Sequence, residues 1–264
     1  MKIKNVSVAY FSATYTTQKI VRQIAQSIKP SFTEYDITRK SVGENIYLDT
    51  NDLLIVGVPV YAGRVPLKAA KALDCFKGND TPAILVAVYG NRAYEDALVE
   101  LKDLVEHNFF KPISAGVFIG RHSIFHPIAM NRPNGEDLEL ATAFAKESSL
   151  ILEKIKKTDS IASMDLPGDH PYKPYGQFPI YPTTNSDICN KCGKCSLLCP
   201  VKAISKTTPD HTDQVRCLSC GRCIIICPKD ARSFSGELYD EKLEYFLEYF
   251  AKPNKPEFFY ATVE

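Results

Sequence analysis

Four absences narrow what this chain can be. It has no long run of like charge: 32 Lys and Arg stand against 31 Asp and Glu, both signs scattered, which leaves no basic face for a nucleic acid or an anionic membrane. It has no apolar stretch approaching the length of a membrane span. No secretory leader is expected, since Met1-Lys2-Ile3-Lys4 runs straight into a strand pattern. It lacks the Gly-x-Gly-x-x-Gly loop of a tight dinucleotide site. The expectations are no nucleic-acid partner, no membrane span, and a cytoplasmic location where thiols stay reduced.

What the chain does have is cysteine in a pattern. Eight of its 9 cysteines form two copies of one spacing, Cys189-x2-Cys192-x2-Cys195-x3-Cys199-Pro200 and Cys217-x2-Cys220-x2-Cys223-x3-Cys227-Pro228. This is the bacterial run for two [4Fe–4S] clusters, in which the fourth cysteine of each run ligates the other cluster. Cluster I is therefore assigned to Cys189, Cys192, Cys195 and Cys227, and cluster II to Cys217, Cys220, Cys223 and Cys199. The copies agree beyond the cysteines. Gly193 and Gly221 share a register, Lys194 and Arg222 follow, and Leu197-Leu198 and Ile224-Ile225-Ile226 supply apolar walls at a period of 28 residues. A disulfide framework needs an oxidising compartment, and structural zinc uses paired CxxC knuckles, so both rivals fit the spacing poorly.

A length of 264 residues has room for two domains. The sequence divides into residues 1–160, a Pro- and aromatic-rich linker at 161–185, a cluster domain at 186–236, and a C-terminal helix and tail at 237–264. Cys75, alone in Leu73-Asp74-Cys75-Phe76, reads as a buried small hydrophobe. The linker segment 166–182 mixes five prolines with aromatic residues, as expected of a strap packed on both domains rather than a solvated spacer. In the tail, Leu238, Leu243, Phe246, Leu247 and Phe250 fall at helical spacing and should cap a domain or a second subunit.

Residues 1–160 alternate strand and helix patterns. Strands are expected at 3–11, 32–37, 52–58, 83–89 and 113–119, with helices at 16–29, 66–76, 93–107 and 135–157. That makes an α/β fold, a doubly wound parallel sheet of five strands, with ligands at the carboxyl ends of its strands. Three loops lie at those ends. Phe11-Ser12-Ala13-Thr14-Tyr15-Thr16-Thr17 opens a helix with hydroxyls and N–H groups suited to a phosphate. The segments Pro59-Val60-Tyr61-Ala62-Gly63-Arg64-Val65-Pro66 and Tyr89-Gly90-Asn91-Arg92-Ala93-Tyr94 bring aromatic rings and glycines to the same edge. One loop for a phosphate and two to sandwich a flat ring make an FMN site.

These loops resemble the phosphate and isoalloxazine loops of flavodoxins. With the double cysteine run behind them, the chain is similar over its length to the flavodoxin–ferredoxin fusion proteins. Pro59–Pro66, Val88–Asp96, Asn131-Arg132-Pro133 with Glu136-Asp137, and Leu166-Pro167-Gly168 carry that resemblance. It implies a flavodoxin-like strand order 2-1-3-4-5 and a small ferredoxin-like α+β domain. It also implies a phosphate held by Ser12, Thr14, Thr16 and Thr17, stacking by Tyr61 and Tyr94, and ring contacts from Gly90 and Asn91. Tyr15 departs from the family, which usually has glycine there to permit a left-handed backbone. Either the loop is rearranged, or Tyr15 covers the ligand, or the site is empty.

The remaining candidates are histidines and acids. His122 and His126, after the last strand, could relay protons beside a flavin or serve as loop hydrogen-bonders. His107 reads as a surface residue at a helix end, and Glu136 and Asp137 as a helix start. Three functions follow: an electron carrier between redox partner proteins that docks at the flavin edge, a flavin reductase of a small acceptor beside His122, or a cluster-only sensor.

Overall fold

A computed structural model of the protein describes residues 1–39, 43–176 and 178–263. Lys40 to Val42, Gln177 of the expected strap and Glu264 of the tail lie outside them. The first part of the chain runs β1 (Asn5–Tyr10), α1 (Thr16–Ile28), β2 (Thr33–Asp36), β3 (Asp52–Pro59), α2 (Leu67–Leu73), β4 (Thr81–Tyr89), α3 (Ala97–His107), β5 (Phe110–Ile119) and α4 (Gly135–Lys154). These elements fall where the periodicity puts them. α4 starts sharply because Asn134 and Asp137 form a reciprocal capping box and Arg132 pairs with Asp137.

The five expected strands are parallel and lie in the order 2-1-3-4-5. Their side chains alternate between two cores, as a pleat buried on both faces requires. Val6, Val8, Leu53, Ile55, Ile84 and Val86 face α1 and α4. Ala9, Leu54, Val56, Leu85 and Ala87 face α2 and α3, and that second core continues into Leu166 of the strap and Cys220 of the cysteine segment.

The sheet gains one strand that the periodicity missed. Among the described residues it has six, because β6 (Glu257–Tyr260) from the tail pairs antiparallel with β5, Glu257 opposite Val117 through Tyr260 opposite Ser114. Phe258 stacks on Phe144 at 5.0 Å while Phe259 packs against the opposite core.

The cysteine segment holds α5 (Lys194–Leu198), α6 (Arg222–Ile225) and a two-stranded pair, Thr183–Thr184 with Arg232–Ser233. Its internal repeat is visible in the backbone. Lys191 and Ser219, Gly193 and Gly221, and Lys202 and Asp230 are all left-handed, each pair 28 residues apart. Asn185 N donates to Ala231 O, and its repeat-mate Asp213 N donates to Ala203 O.

The joint between the two parts is a third apolar cluster. α7 (Glu237–Phe250) contributes Phe246, Leu243 and Phe250 to it. They meet Phe125 and Ile128 from the first part, Ile180 from the strap, and Phe234 and Ile224 from the cysteine segment. Leu238 and Leu247, expected on the same stripe, are exposed. The strap is fastened by Arg64. Its guanidinium lies between the rings of Tyr172 and Tyr175 and makes a buried bidentate pair with Glu100 at 2.8 and 2.9 Å. Cys75 is half-buried rather than buried, in the turn before Phe76.

Candidate functional site

The cysteines line two cavities. Cys189, Cys192, Cys195 and Cys227 line one cavity, and Cys199, Cys217, Cys220 and Cys223 line the other. Each set surrounds a cavity rather than a point: among the described residues no three His, Cys, Asp or Glu groups converge on a single-ion site. Backbone N–H groups aim at the sulfurs in repeat-related positions. Ala203 N donates to Cys199 Sγ at 3.2 Å, and Ala231 N donates to Cys227 Sγ at 3.3 Å. Such donors stabilise ligated thiolates and tune a cluster's potential. Burial pushes the Cys223 thiol up to about 12 and Cys220 higher, the neighbouring thiols adding to it. Arg232, buried between the two sets, donates to Pro209 O at 2.8 Å and reaches Cys195 Sγ at 4.0 Å.

Residues 188–231 match the family model of the 4Fe-4S dicluster domain. The cysteine segment thus resembles a 4Fe-4S dicluster domain. No curated protein matches the chain. Among solved structures, a flavodoxin of Streptococcus pneumonia TIGR4 is 14% identical, covers 56% of this chain and 99% of its own, and has a TM-score of 0.39. A flavodoxin from the domain Archaea is 10% identical with the same coverage and a TM-score of 0.39. Flavodoxin 2 from Bacillus cereus is 13% identical, again at 56% and 99%, with a TM-score of 0.40. The flavodoxin-like fold rests on the parallel strand order 2-1-3-4-5. The chain joins a flavodoxin-like sheet to a segment that matches the dicluster family, a combination that points to electron transfer.

At the carboxyl ends of β1, β3 and β4, a small pocket of about 40 Å³ is lined by Ala13, Thr14, Thr16, Thr17, Pro59, Tyr61, Gly90 and His122. The Thr17 hydroxyl is fully buried without a hydrogen-bond partner among the described residues. An orphaned hydroxyl in a polar pocket at a helix N-terminus fits an anion. Ser12 sits deeper, its hydroxyl accepting from Gln18 N at 3.1 Å.

The loop is not rearranged by Tyr15. Tyr15 takes the left-handed backbone that glycine would take, with φ 68 and ψ 0, immediately before α1. A non-glycine residue there is strained by about 1–2 kcal/mol. Its ring does not close over the pocket. It stacks on Arg222 of the dicluster domain, 5.0 Å from ring centre to guanidinium.

A larger cavity of about 800 Å³ adjoins this pocket and shares Tyr61 and His122 with it. Its floor is the Tyr61-Ala62 loop, where Ala62 and Gly63 are both left-handed in a tight turn closed by Tyr61 and Arg64. Gly63 has no room for a Cβ, which would fall 1.9 Å from Glu95 Oε2. Its roof comes from three elsewhere-encoded pieces: Tyr175 and Phe178 of the strap, Tyr245, Phe246 and Phe250 of α7, and Cys217-Leu218-Ser219 of the dicluster domain. Tyr61 abuts Cys220 and Arg222, and burial holds its hydroxyl well above the usual range.

His122 faces both spaces. Its Nδ1 accepts from Ile124 N at 3.1 Å and Phe125 N at 3.0 Å, which places the ring proton on Nε2. Burial, with His126 and Arg92 nearby, pushes its pKa down to about 3. It is a fixed neutral donor and not a relay that titrates near neutral pH. His126 is also lowered by burial and is tied to Ser123 O, as a loop hydrogen-bonder would be.

Three expected ring contacts lie elsewhere. Asn91 is buried, but its amide Nδ2 donates to Phe250 O and Lys252 O and its Oδ1 accepts from Asn254 N, so it anchors the tail. Tyr89 and Tyr94 line a separate cavity of about 670 Å³ with Pro167, Asn254 and Glu257, and the Tyr94 hydroxyl donates to Glu257. The returning tail takes these residues away from the Tyr61 side.

Proposed function

We propose that the protein is an electron-transfer flavoprotein in which FMN exchanges electrons with two [4Fe–4S] clusters. FMN supplies exchange of one or two electrons, and each cluster carries one. In this reading Thr14, Thr16, Thr17 and the N–H groups of the Ser12–Thr17 loop hold the phosphate. The ring lies in the larger cavity against Tyr61 and Ala62, and His122 donates from Nε2. Cys217, Cys220, Cys223 and Cys199 hold the inner cluster, and Cys189, Cys192, Cys195 and Cys227 the outer one.

One observation carries the reading: Cys217-Leu218-Ser219 of the dicluster domain form part of the same cavity wall as Tyr61 and His122. A ligand of cluster II therefore borders the space a flavin ring would fill. The order flavin, cluster II, cluster I follows, and it ends at the surface, where Cys192 is exposed while Cys220 is buried. A redox partner protein then docks at the cluster I face. The flavin edge, the docking face expected of a free carrier, is roofed by the strap and α7.

Anaerobically purified protein should carry about eight irons and one FMN per chain. Failure to bind FMN after anaerobic reconstitution overturns the reading and leaves a cluster-only protein. The roofed cavity supports a second reading, a flavin-dependent reductase of a small acceptor, because about 800 Å³ falls within the size range of small-molecule sites. Steady-state turnover of a small quinone or disulfide with reduced ferredoxin distinguishes it from a carrier.

A further inference from the structure

Arg222 belongs to the dicluster domain by sequence and to the phosphate loop by contact. It lies between Cys220 and Cys223, and its own N–H points at the Cys220 thiol. Its side chain leaves the domain altogether. Nη1 donates to Ser12 O and to Ala13 O, both at 3.1 Å, and the guanidinium lies under the Tyr15 ring. The residue is 5% exposed, and its Nε has no partner among the described residues. The preceding Gly221 leaves no slack, since a Cβ there would lie 2.6 Å from Ser123 O. Its repeat-mate Lys194 occupies the same place in the first run and is exposed. The difference between the two follows from what each faces.

We propose that Arg222 makes phosphate binding by the Ser12–Thr17 loop conditional on cluster II, resting on the reading that the loop holds FMN. The carbonyls that Arg222 grips belong to the loop that turns left-handed at Tyr15 and lines the small pocket with Thr14, Thr16 and Thr17. A tyrosine stays in that backbone only where its surroundings hold it, and Arg222 is the surrounding group that touches both the loop's carbonyls and the ring. Ligated cysteines on either side of Arg222 fix the direction from which it reaches. Without iron the 217–223 loop has no such constraint and the grip is lost. Tyr15 in place of glycine then has a reason: its ring is what the guanidinium lies against. Coupling between sites is reciprocal, so FMN should also retain iron in cluster II.

The test measures FMN and riboflavin affinity on the cluster-loaded full chain, because riboflavin has the ring without the phosphate. Arg222→Gln should weaken FMN by ~10-fold or more, leave riboflavin within about twofold, and keep about eight irons. Lys194→Gln should change neither affinity. In the wild type, FMN should slow iron loss to a chelator several-fold more than riboflavin does. This second arm stands even where Arg222→Gln fails to fold or loads iron poorly. An iron-loaded Arg222→Gln that binds FMN as the wild type does overturns the proposal, as does equal protection by FMN and riboflavin. A wild type that binds no FMN overturns the flavin reading and the proposal with it. A wild type that binds FMN while Arg222→Gln is silent overturns the proposal alone.

Discussion

Gly193 and Gly221 share one backbone conformation, with φ 72 and 71, and differ in their surroundings. A Cβ at Gly193 meets nothing within 4 Å, whereas at Gly221 it would collide with Ser123 O. Gly193→Ala should therefore lose about 1–2 kcal/mol from backbone strain alone. Gly221→Ala should add overpacking of about 1–3 kcal/mol and open the joint, which denaturant unfolding of the two variants measures. His122 makes a prediction in pH. Its folded pKa lies below the ordinary 6.5, so the unfolded state binds the proton first and stability falls as pH drops below 6.5. Relative to His122→Asn, the wild type should lose about 2 kcal/mol between pH 6.5 and pH 5. At this scale the sequence was readable where chemistry is local. Cysteine spacing sets the ligand groups because three ligands share one loop. The role of Arg222 was hidden because its partners lie 210 and 209 residues away.

The regular elements of the sheet were legible because burial on both faces or on one helix stripe leaves a period in the sequence. The strap and β6 have no such period. The strap is ordered by single contacts, foremost Glu100, which accepts from Arg64, from Val65 N at 2.8 Å and from Tyr175 at 2.7 Å. Glu100→Gln leaves the buried Arg64 charge with a neutral partner. It should destabilise the fold by about 3–5 kcal/mol and expose the Tyr172–Tyr175 stretch to protease, which a digestion time course reads. Asn91 plays the matching part for the tail. Asn91→Ala removes donors to two carbonyls and an acceptor for Asn254, so about 1–3 kcal/mol should be lost and the tail freed, seen as faster amide exchange in 250–260. The sequence offered Asn91 and Tyr94 to a ring because their loop lies at the right sheet edge. It could not show that a segment some 160 positions later comes back to claim them.

For the molecule as a whole, the two four-cysteine sets are not equivalent: one borders the interior cavity and the other meets solvent at Cys192. Cys220→Ala should retain about four irons; with FMN supplied at a concentration that fills the site despite the weaker binding expected without cluster II, its reduction by external reduced ferredoxin should fall while dithionite still reduces it fully. Equal rates in that variant and the wild type would mean the flavin is reached without cluster II. No helix among the described residues is long and apolar enough to cross a membrane. The strand β6 adds something about time. Ser114 to Val117 present an unpaired edge until residues 257–260 cover it. Those residues emerge from the ribosome after both cysteine runs and after α7. The sheet that comes first in the chain is thus finished last, and the roof over the cavity closes only after the iron loops have been made. During synthesis the nascent first part carries an open strand edge that other chains can pair with, and that edge stays bare while both cysteine runs are being made.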